Sequence, residues 1–214
     1  PTKEKEKIGE GITVQAIVLH DSSYQTTAKA RAGSQEAITK SDEDPLKPTF
    51  EKLFKTVQQH FNNQSVMINI SVQEVFEINN ITVPYGTSTA SIKGPETLKN
   101  LEIYGGSLGA SNNTVFFLFT RKNIYQNSER GDRMPLSLTE YASFRTFCTA
   151  STSAALVKGY SGGRSYFSAV HATANVFGAN HYYRFLTDDL QTMKETFSRC
   201  NGNKGAGETP RATK

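Results

Sequence analysis

Apolar and polar stretches alternate along the chain, and their periodicities predict alternating strands and helices. A run rich in β-branched residues predicts a strand at residues 12–19, an alternating pattern predicts one at 66–78, and apolar runs predict strands at 114–120 and 154–157. Apolar residues at helical spacing predict helices at residues 49–62, 95–104, 165–177 and 188–198. The run TVFFLFT at 114–120 is apolar throughout, which is typical of a strand buried on both faces. This alternation predicts an α/β sheet sandwich.

Length and charge narrow the function classes only slightly. The 214 residues are enough to bury one sizeable core, so we expect one domain, with a disordered tail over residues 201–214. The 24 basic and 20 acidic residues are mixed along the chain, so nucleic acid is not an expected partner. No run reaches the roughly 18 to 20 apolar residues of a membrane helix, and no membrane insertion is expected.

Two features favour the secretory pathway. The first is a set of four acceptor triplets of the N-x-[ST] type, beginning at Asn63, Asn69, Asn80 and Asn112. The second is the pair Cys148 and Cys200, which allows either one disulfide or two buried thiols. We therefore expect a secreted, extracellular glycoprotein.

The segment HATANVFGANH carries the most informative motif. His171, Gly178 and His181 occupy the first, eighth and last positions of the pattern H-E-x-x-H-x-x-G-x-x-H. Ligands four residues apart share one face of a helix, and a glycine three residues later lets the backbone turn and bring round a third imidazole. The segment thus resembles the zinc signature of the metzincin metalloproteases.

The departures from this signature predict a loss of catalysis. Ala172 stands where the family has its general-base Glu, and a methyl group cannot take a proton from a metal-bound water. Asn175 replaces the second His, and a neutral amide oxygen is a poor zinc ligand. We expect no cofactor, with His171 and His181 as vestigial ligands that could hold zinc only weakly.

Further matches resemble the adamalysin, or reprolysin, branch, which occurs in venoms and in the saliva of blood-feeding arthropods. The branch opens with a buried strand, has a cysteine upstream of the first zinc His and ends on Phe-Ser-x-Cys. The counterparts here are residues 12–19, Cys148, and Phe197 to Cys200. The resemblance covers residues 11–200, leaving a flexible tail at 1–10. It implies a three-layer fold with a mixed twisted sheet, a long active-site-type helix and a small C-terminal subdomain. It also implies a Cys148–Cys200 disulfide.

Two other positions bear on this branch. Met193 follows His181 and is either the family's methionine turn or part of a helix. Tyr182 stands where the branch usually has Asp, and the remaining family cysteines are absent.

A second motif, GYSGG at residues 159–163, fits the G-x-S-x-G nucleophile elbow with Ser161 as nucleophile. That fold needs an acid and then a His after the Ser. Here the downstream acids Asp188, Asp189 and Glu195 all follow His181, the last histidine. A glycine-rich turn leading into the next helix is the simpler interpretation.

The tripeptide Arg130-Gly131-Asp132 resembles the integrin-recognition sequence. It lies in a charged stretch that lacks apolar periodicity and ends at Pro135, which predicts an exposed loop. A solvated loop with no binding role is the alternative interpretation.

Together these patterns predict a metzincin-like pseudoprotease that is not an enzyme and that binds another extracellular or cell-surface protein. The candidate partner is an integrin, with interference in cell adhesion or haemostasis as the outcome. The alternatives are a residually active zinc metalloprotease, a serine hydrolase that uses Ser161, and a glycosylated carrier of a peptide or small ligand.

Overall fold

A five-stranded mixed β-sheet forms the centre of the fold. The computed structural model describes residues 6–24, 44–126, 136–159 and 166–201. The strands of this sheet are β1 (Thr13–His20), β2 (Asn69–Glu77), β5 (Thr114–Thr120), β8 (Glu140–Ala142) and β9 (Ser153–Lys158). Their spatial order is β2-β1-β5-β9-β8, in which the first four are parallel and β8 is antiparallel to β9. The sheet is therefore mixed, and its edges are β2 and β8.

The helices α1 (Lys47–Asn62), α2 (Gly94–Ser107) and α3 (Tyr166–Phe177) pack against the main sheet, and α4 (Thr187–Asn201) packs against α3. In α1, Phe50, Phe54, Val57 and Phe61 recur at helical spacing and are all buried. Pro48 lies in the first turn of this helix, where its missing N–H costs no hydrogen bond.

A smaller sheet completes the architecture. It consists of β3 (Pro84–Tyr85), β4 (Ser88–Lys93), β6 (Asn123–Tyr125) and β7 (Ser137–Leu138), in the order β3-β4-β6-β7. Three of these strands have only two or three residues, too few to show a periodicity, and the six residues of β4 do not alternate between buried and exposed, so none was predictable from the sequence.

The two faces of the main sheet bury separate apolar cores. Phe117 and Phe119 of β5 pack in the core shared with α1, α3 and α4, while Phe116 and Leu118 pack in the core shared with α2 and the smaller sheet. All of β5 is buried, as the run TVFFLFT predicts. The predicted α/β class with a mixed sheet and layers on both faces is confirmed.

The predicted elements are found, with shifted boundaries. Helices α2 and α4 extend beyond the predicted ranges. Strand β2 begins at Asn69, and Val66, predicted to lie in it, forms an isolated bridge with Ile8. Ile8 lies in the segment expected to be a flexible tail, yet it is buried in the main core because its apolar side chain packs there. None of the helices within the described ranges is long and apolar enough to cross a membrane.

Candidate functional site

Helix α3 carries the histidine motif and ends where the motif has its glycine. The N–H of Gly178 donates to the carbonyl of Asn175, and the N–H of Ala179 donates to the carbonyl of Ala174, both at 2.9 Å. This pair of bonds is a Schellman C-cap, with Gly178 in the left-handed region at φ +92°. The helix ends here, and the chain turns towards His181.

Gly178 is also required by the space around it. A Cβ at this position would lie 2.8 Å from Cγ of Arg145 and 2.9 Å from Cγ2 of Thr192. The predicted role of this glycine, a turn between the first and last histidines, therefore has both a conformational and a steric basis.

His171 lies on the partly exposed side of α3 and is held by two contacts. Its Nδ1 donates to Oε1 of Glu140 at 2.8 Å, and the ring of Tyr182 stacks on its imidazole with centroids 4.2 Å apart. Since an ionised carboxylate accepts only, Nδ1 carries the hydrogen and Nε2 is the remaining nitrogen. The first residue of the motif is thus paired on one nitrogen and covered on one face.

Glu140 comes from the edge strand β8. Burial alone would raise the pKa of its carboxyl. The pKa is nevertheless held below its usual range by hydrogen bonds with His171, Thr139 and Ser168 and by the electrostatic effect of His171. The carboxylate is consequently a weak proton acceptor at neutral pH.

His181 has a carboxylate partner of its own. Its side chain is 56% exposed, and its Nδ1 donates to Oδ2 of Asp189 at 2.9 Å. Asp189 is buried in the first turn of α4 and accepts N–H groups of Leu186 and Asn180 at 2.9 Å each. Burial would raise the pKa of Asp189, but these backbone donors and His181 lower it below its usual range. The turn after Gly178 is fixed by this one carboxylate.

Ala172 and Asn175, the two degenerate positions, lie in different surroundings. Ala172 is fully buried and packs in the main core, away from solvent. Asn175 is half-buried, and its carbonyl accepts the N–H groups of Arg145 and Gly178. The side chain next to His171 in sequence therefore points into an apolar environment.

These residues do not fit the zinc group of the metzincin signature. The motif offers two imidazoles and one amide, and a neutral amide oxygen is a poor replacement for the third imidazole of such a site. In the ranges that the structure describes, no group of three or more His, Cys, Asp or Glu residues is placed to hold a metal ion.

Tyr182 and three further aromatic side chains that contact one another are here called the aromatic surface: Tyr166, Phe167, Tyr182 and Tyr183. Phe167 stacks on Tyr183 at 4.9 Å and contacts Tyr166 at 4.1 Å, while Tyr182 and Tyr183 lie 5.6 Å apart. Tyr183 is 70% exposed. Sequence analysis does not identify this surface, because its members come from both sides of the Gly178 turn.

The remaining predicted residues are spread over the molecule. Cys148 and Cys200 form a disulfide, as the family resemblance implies. Met193 lies within α4 and is buried, so it is part of a helix and not of a turn. Of the acceptor asparagines, Asn63, Asn69 and Asn80 are exposed and Asn112 is half-buried. The Arg130-Gly131-Asp132 loop, Ser161 and the tail at 202–214 lie outside the described residues.

Comparisons with known proteins give only distant likenesses. No family model and no curated protein matches the chain. One similar solved structure is that of a chaperone–substrate complex, with 8% identity, a TM-score of 0.45 and coverage of 78% of this chain and 26% of that chain. The chain therefore spans about a quarter of that protein's length.

A second similar structure is archaemetzincin from Methanopyrus kandleri, with 11% identity, a TM-score of 0.44 and coverage of 91% of this chain and 97% of that chain. Likenesses at these TM-scores assign neither a family nor an activity to this chain.

Proposed function

We propose that this chain is a secreted, non-catalytic relative of the adamalysin-type metalloproteases and acts by binding another protein. One observation carries the proposal. The position next to His171, where the resembling family has its general base, holds the methyl group of Ala172, which is buried in the core. A hydrolase of that type needs a carboxylate there, facing the bound water.

Glu140 is a poor substitute for the missing base. It contacts His171 and is half-buried, but its hydrogen bonds with His171, Thr139 and Ser168 lower its pKa. A carboxylate committed to these donors is poorly suited to take and return a proton at neutral pH. This favours a structural role for Glu140, namely orienting the imidazole of His171.

The aromatic surface supports a binding role. Tyrosine combines an apolar ring with a hydrogen-bonding hydroxyl, and such rings are enriched in protein interfaces. Tyr183 is 70% exposed and lies beside Tyr182, which covers His171. The region beside the first histidine of the motif thus carries half-buried aromatic rings and one exposed ring, that of Tyr183.

The sharper form of the proposal names the partner as an integrin, recognised through Arg130, Gly131 and Asp132. The basis is the sequence: a guanidinium and a carboxylate separated by glycine, within a charged stretch of the chain. Binding of this kind would interfere with cell adhesion or haemostasis.

A cell-adhesion assay on immobilised integrin ligands tests the partner. The unchanged protein should inhibit adhesion, and Asp132→Ala and Asp132→Glu should both lose inhibition, because the carboxylate must reach the receptor's metal ion at one distance. Asp188→Ala, which removes an exposed carboxylate elsewhere, is the matched control and should inhibit normally. Equal inhibition by all four proteins would remove the integrin proposal. Loss with Tyr183→Ala alone would move the binding site to the aromatic surface.

A peptidase assay tests the non-catalytic part. Purified protein, with and without added Zn²⁺, should cleave no peptide above the level seen with Ser161→Ala and His171→Ala variants. Cleavage that a chelator abolishes would restore the metalloprotease alternative. Cleavage that survives the chelator but disappears in Ser161→Ala would restore the serine hydrolase alternative.

A further inference from the structure

A pocket of about 260 Å³ lies at the amino-terminal ends of the parallel strands β5 and β9. It is bounded by the end of α2, the start of β5 and residues 149–153. Its polar wall includes Ser111, Asn112, Thr114, Thr149, Ser151 and Thr152, and every residue of the wall is uncharged. The pocket therefore favours a neutral, hydrogen-bonding ligand of small size over an ion.

Some of these polar groups are already paired, and others are available. The Thr149 hydroxyl donates to the Thr146 carbonyl at 2.6 Å, and the hydroxyls of Ser111 and Thr114 lie 3.1 Å apart. Within the described part of the chain, the side chains of Asn112, Ser151 and Thr152 form no hydrogen bond. An amide and two hydroxyls thus remain free to bind a ligand.

Two glycines in the last turn of α2 keep the pocket open. A Cβ on Gly106 would lie 3.2 Å from Oγ1 of Thr152, on the pocket side. A Cβ on Gly105 would lie 2.6 Å from the ring of Phe116. The helix can therefore lie this close to β5 only with glycine at position 105. Side chains at either position would occupy this space or displace the helix.

We infer that this pocket holds the first sugar ring of an N-linked glycan attached to Asn112. Asn112 begins an acceptor triplet and is itself part of the pocket wall. A sugar ring carries several hydroxyls and no charge, which matches the free hydroxyls of Ser151 and Thr152.

The surroundings of the other acceptor asparagines differ from those of Asn112. Asn63 and Asn80 are exposed. Asn69 lines a shallower groove of about 330 Å³, whose wall includes the charged Glu51 and Lys55. Of these two pockets, the one at Asn112 joins an attachment point to an uncharged wall, and the one at Asn69 does not. The inference rests on the proposed secretion, but not on integrin binding or on the loss of catalysis.

The test uses two variants of the full chain, both made in a glycosylating secretory host. One variant keeps only Asn112 as an acceptor and the other keeps only Asn63, and the remaining acceptor asparagines are changed to Gln. An amidase that cuts between asparagine and the first sugar is applied to the native proteins. Release from Asn112 should be about tenfold slower than release from Asn63, the factor that ~1.4 kcal/mol of sugar–pocket contact would produce. After denaturation, the two rates should be equal.

A pocket-filling substitution supplies the control for simple crowding. Gly106→Leu in the Asn112-only protein should bring release to the Asn63 rate, whereas Ser107→Leu, the next position on α2 and outside the pocket wall, should leave release slow. Equal native release rates for Asn112 and Asn63, or an Asn112 that mass spectrometry finds unmodified, would overturn the inference.

A second measurement separates an attached sugar from a free one. Unglycosylated protein is titrated with N-acetylglucosamine while the amide signals of Ser151 and Thr152 are followed by NMR. The attached-glycan assignment predicts no shift at millimolar sugar. Shifts at these amides, together with an unmodified Asn112, would make the pocket a site for free carbohydrate and overturn the assignment to Asn112.

Discussion

The phenol ring of Tyr182 stacks on the imidazole of His171, with ring centroids 4.2 Å apart. Tyr182 directly follows His181, so the residue after the last histidine of the motif covers the first one. Nδ1 of His171 is bound to Glu140 and Nδ1 of His181 to Asp189. Each imidazole is thereby fixed by its own carboxylate, and the two belong to different local structures.

Removing the ring of Tyr182 should uncover His171. In Tyr182→Ala, we expect several-fold faster modification of His171 by an imidazole-directed acylating reagent, followed by mass spectrometry. Tyr183→Ala is the matched control, because Tyr183 stacks on Phe167, and its rate should equal that of the unchanged protein. Equal rates in all three proteins would show that Tyr182 does not shield the imidazole.

Restoring the family's carboxylate should destabilise the protein. Ala172 is fully buried, so Ala172→Glu places a carboxylate in the apolar core without a partner, and we expect it to cost about 3 kcal/mol or more of the free energy of unfolding. The measurement is urea unfolding followed by circular dichroism. Ala110→Glu makes the same change at an exposed position and should alter stability by less than about 0.5 kcal/mol. A stable Ala172→Glu protein with chelator-sensitive peptidase activity would contradict both this prediction and the proposed function.

The hydrogen bond between Glu140 and His171 should contribute to stability only above acidic pH. The folded-state pKa of Glu140 lies below its ordinary value of 4.5, so its stabilising effect is present above that pH and is lost as the pH falls through the lower folded value. Unfolding free energies of the unchanged protein and Glu140→Gln should therefore differ most at neutral pH and converge in acid. The pKa of Asp189 is also lowered, but Asp189 is common to both proteins, so the difference between them isolates Glu140. A gap that widens as the pH falls would contradict the prediction.

Two glycine substitutions separate backbone strain from steric overlap. Gly11 and Gly178 both have positive φ, 78° and 92°, but a Cβ on Gly11 would meet nothing within 4 Å. We expect Gly11→Ala to cost about 1–2 kcal/mol of unfolding free energy from strain alone. Gly178→Ala should cost about 2–4 kcal/mol, since its Cβ also overlaps Arg145 and Thr192. Equal losses in chemical denaturation would mean that the neighbours of Gly178 relax freely.

The main sheet and helices could be predicted because each of them buries a repeating apolar pattern. The run at 114–120 gives the bounds of β5 without error, since a strand between two helical layers must be apolar on both faces. Strand β8 could not be predicted, because Glu140, Tyr141 and Ala142 are all half-buried and show no alternation. Its position comes from pairing with β9, a long-range contact that local sequence does not encode.

The candidate site could be predicted only where its residues share one helix and turn. His171, Ala172, Gly178 and His181 follow from spacing within a short segment. Glu140 lies 31 residues before His171, and no local pattern links the two. The sequence offers Asp189 only as a possible acid of a hydrolase triad, whereas its partners in the structure are the backbone of the Gly178 turn and His181.

The Cys148–Cys200 bond has a consequence for handling the protein. The two cysteines are 52 positions apart, and the stretch between them contains β9, α3 and most of α4. A protease that cuts once anywhere in that stretch leaves both fragments joined by the sulfur bridge. Such nicked material would migrate as full-length protein on a gel without reductant and separate into two bands once reductant is added.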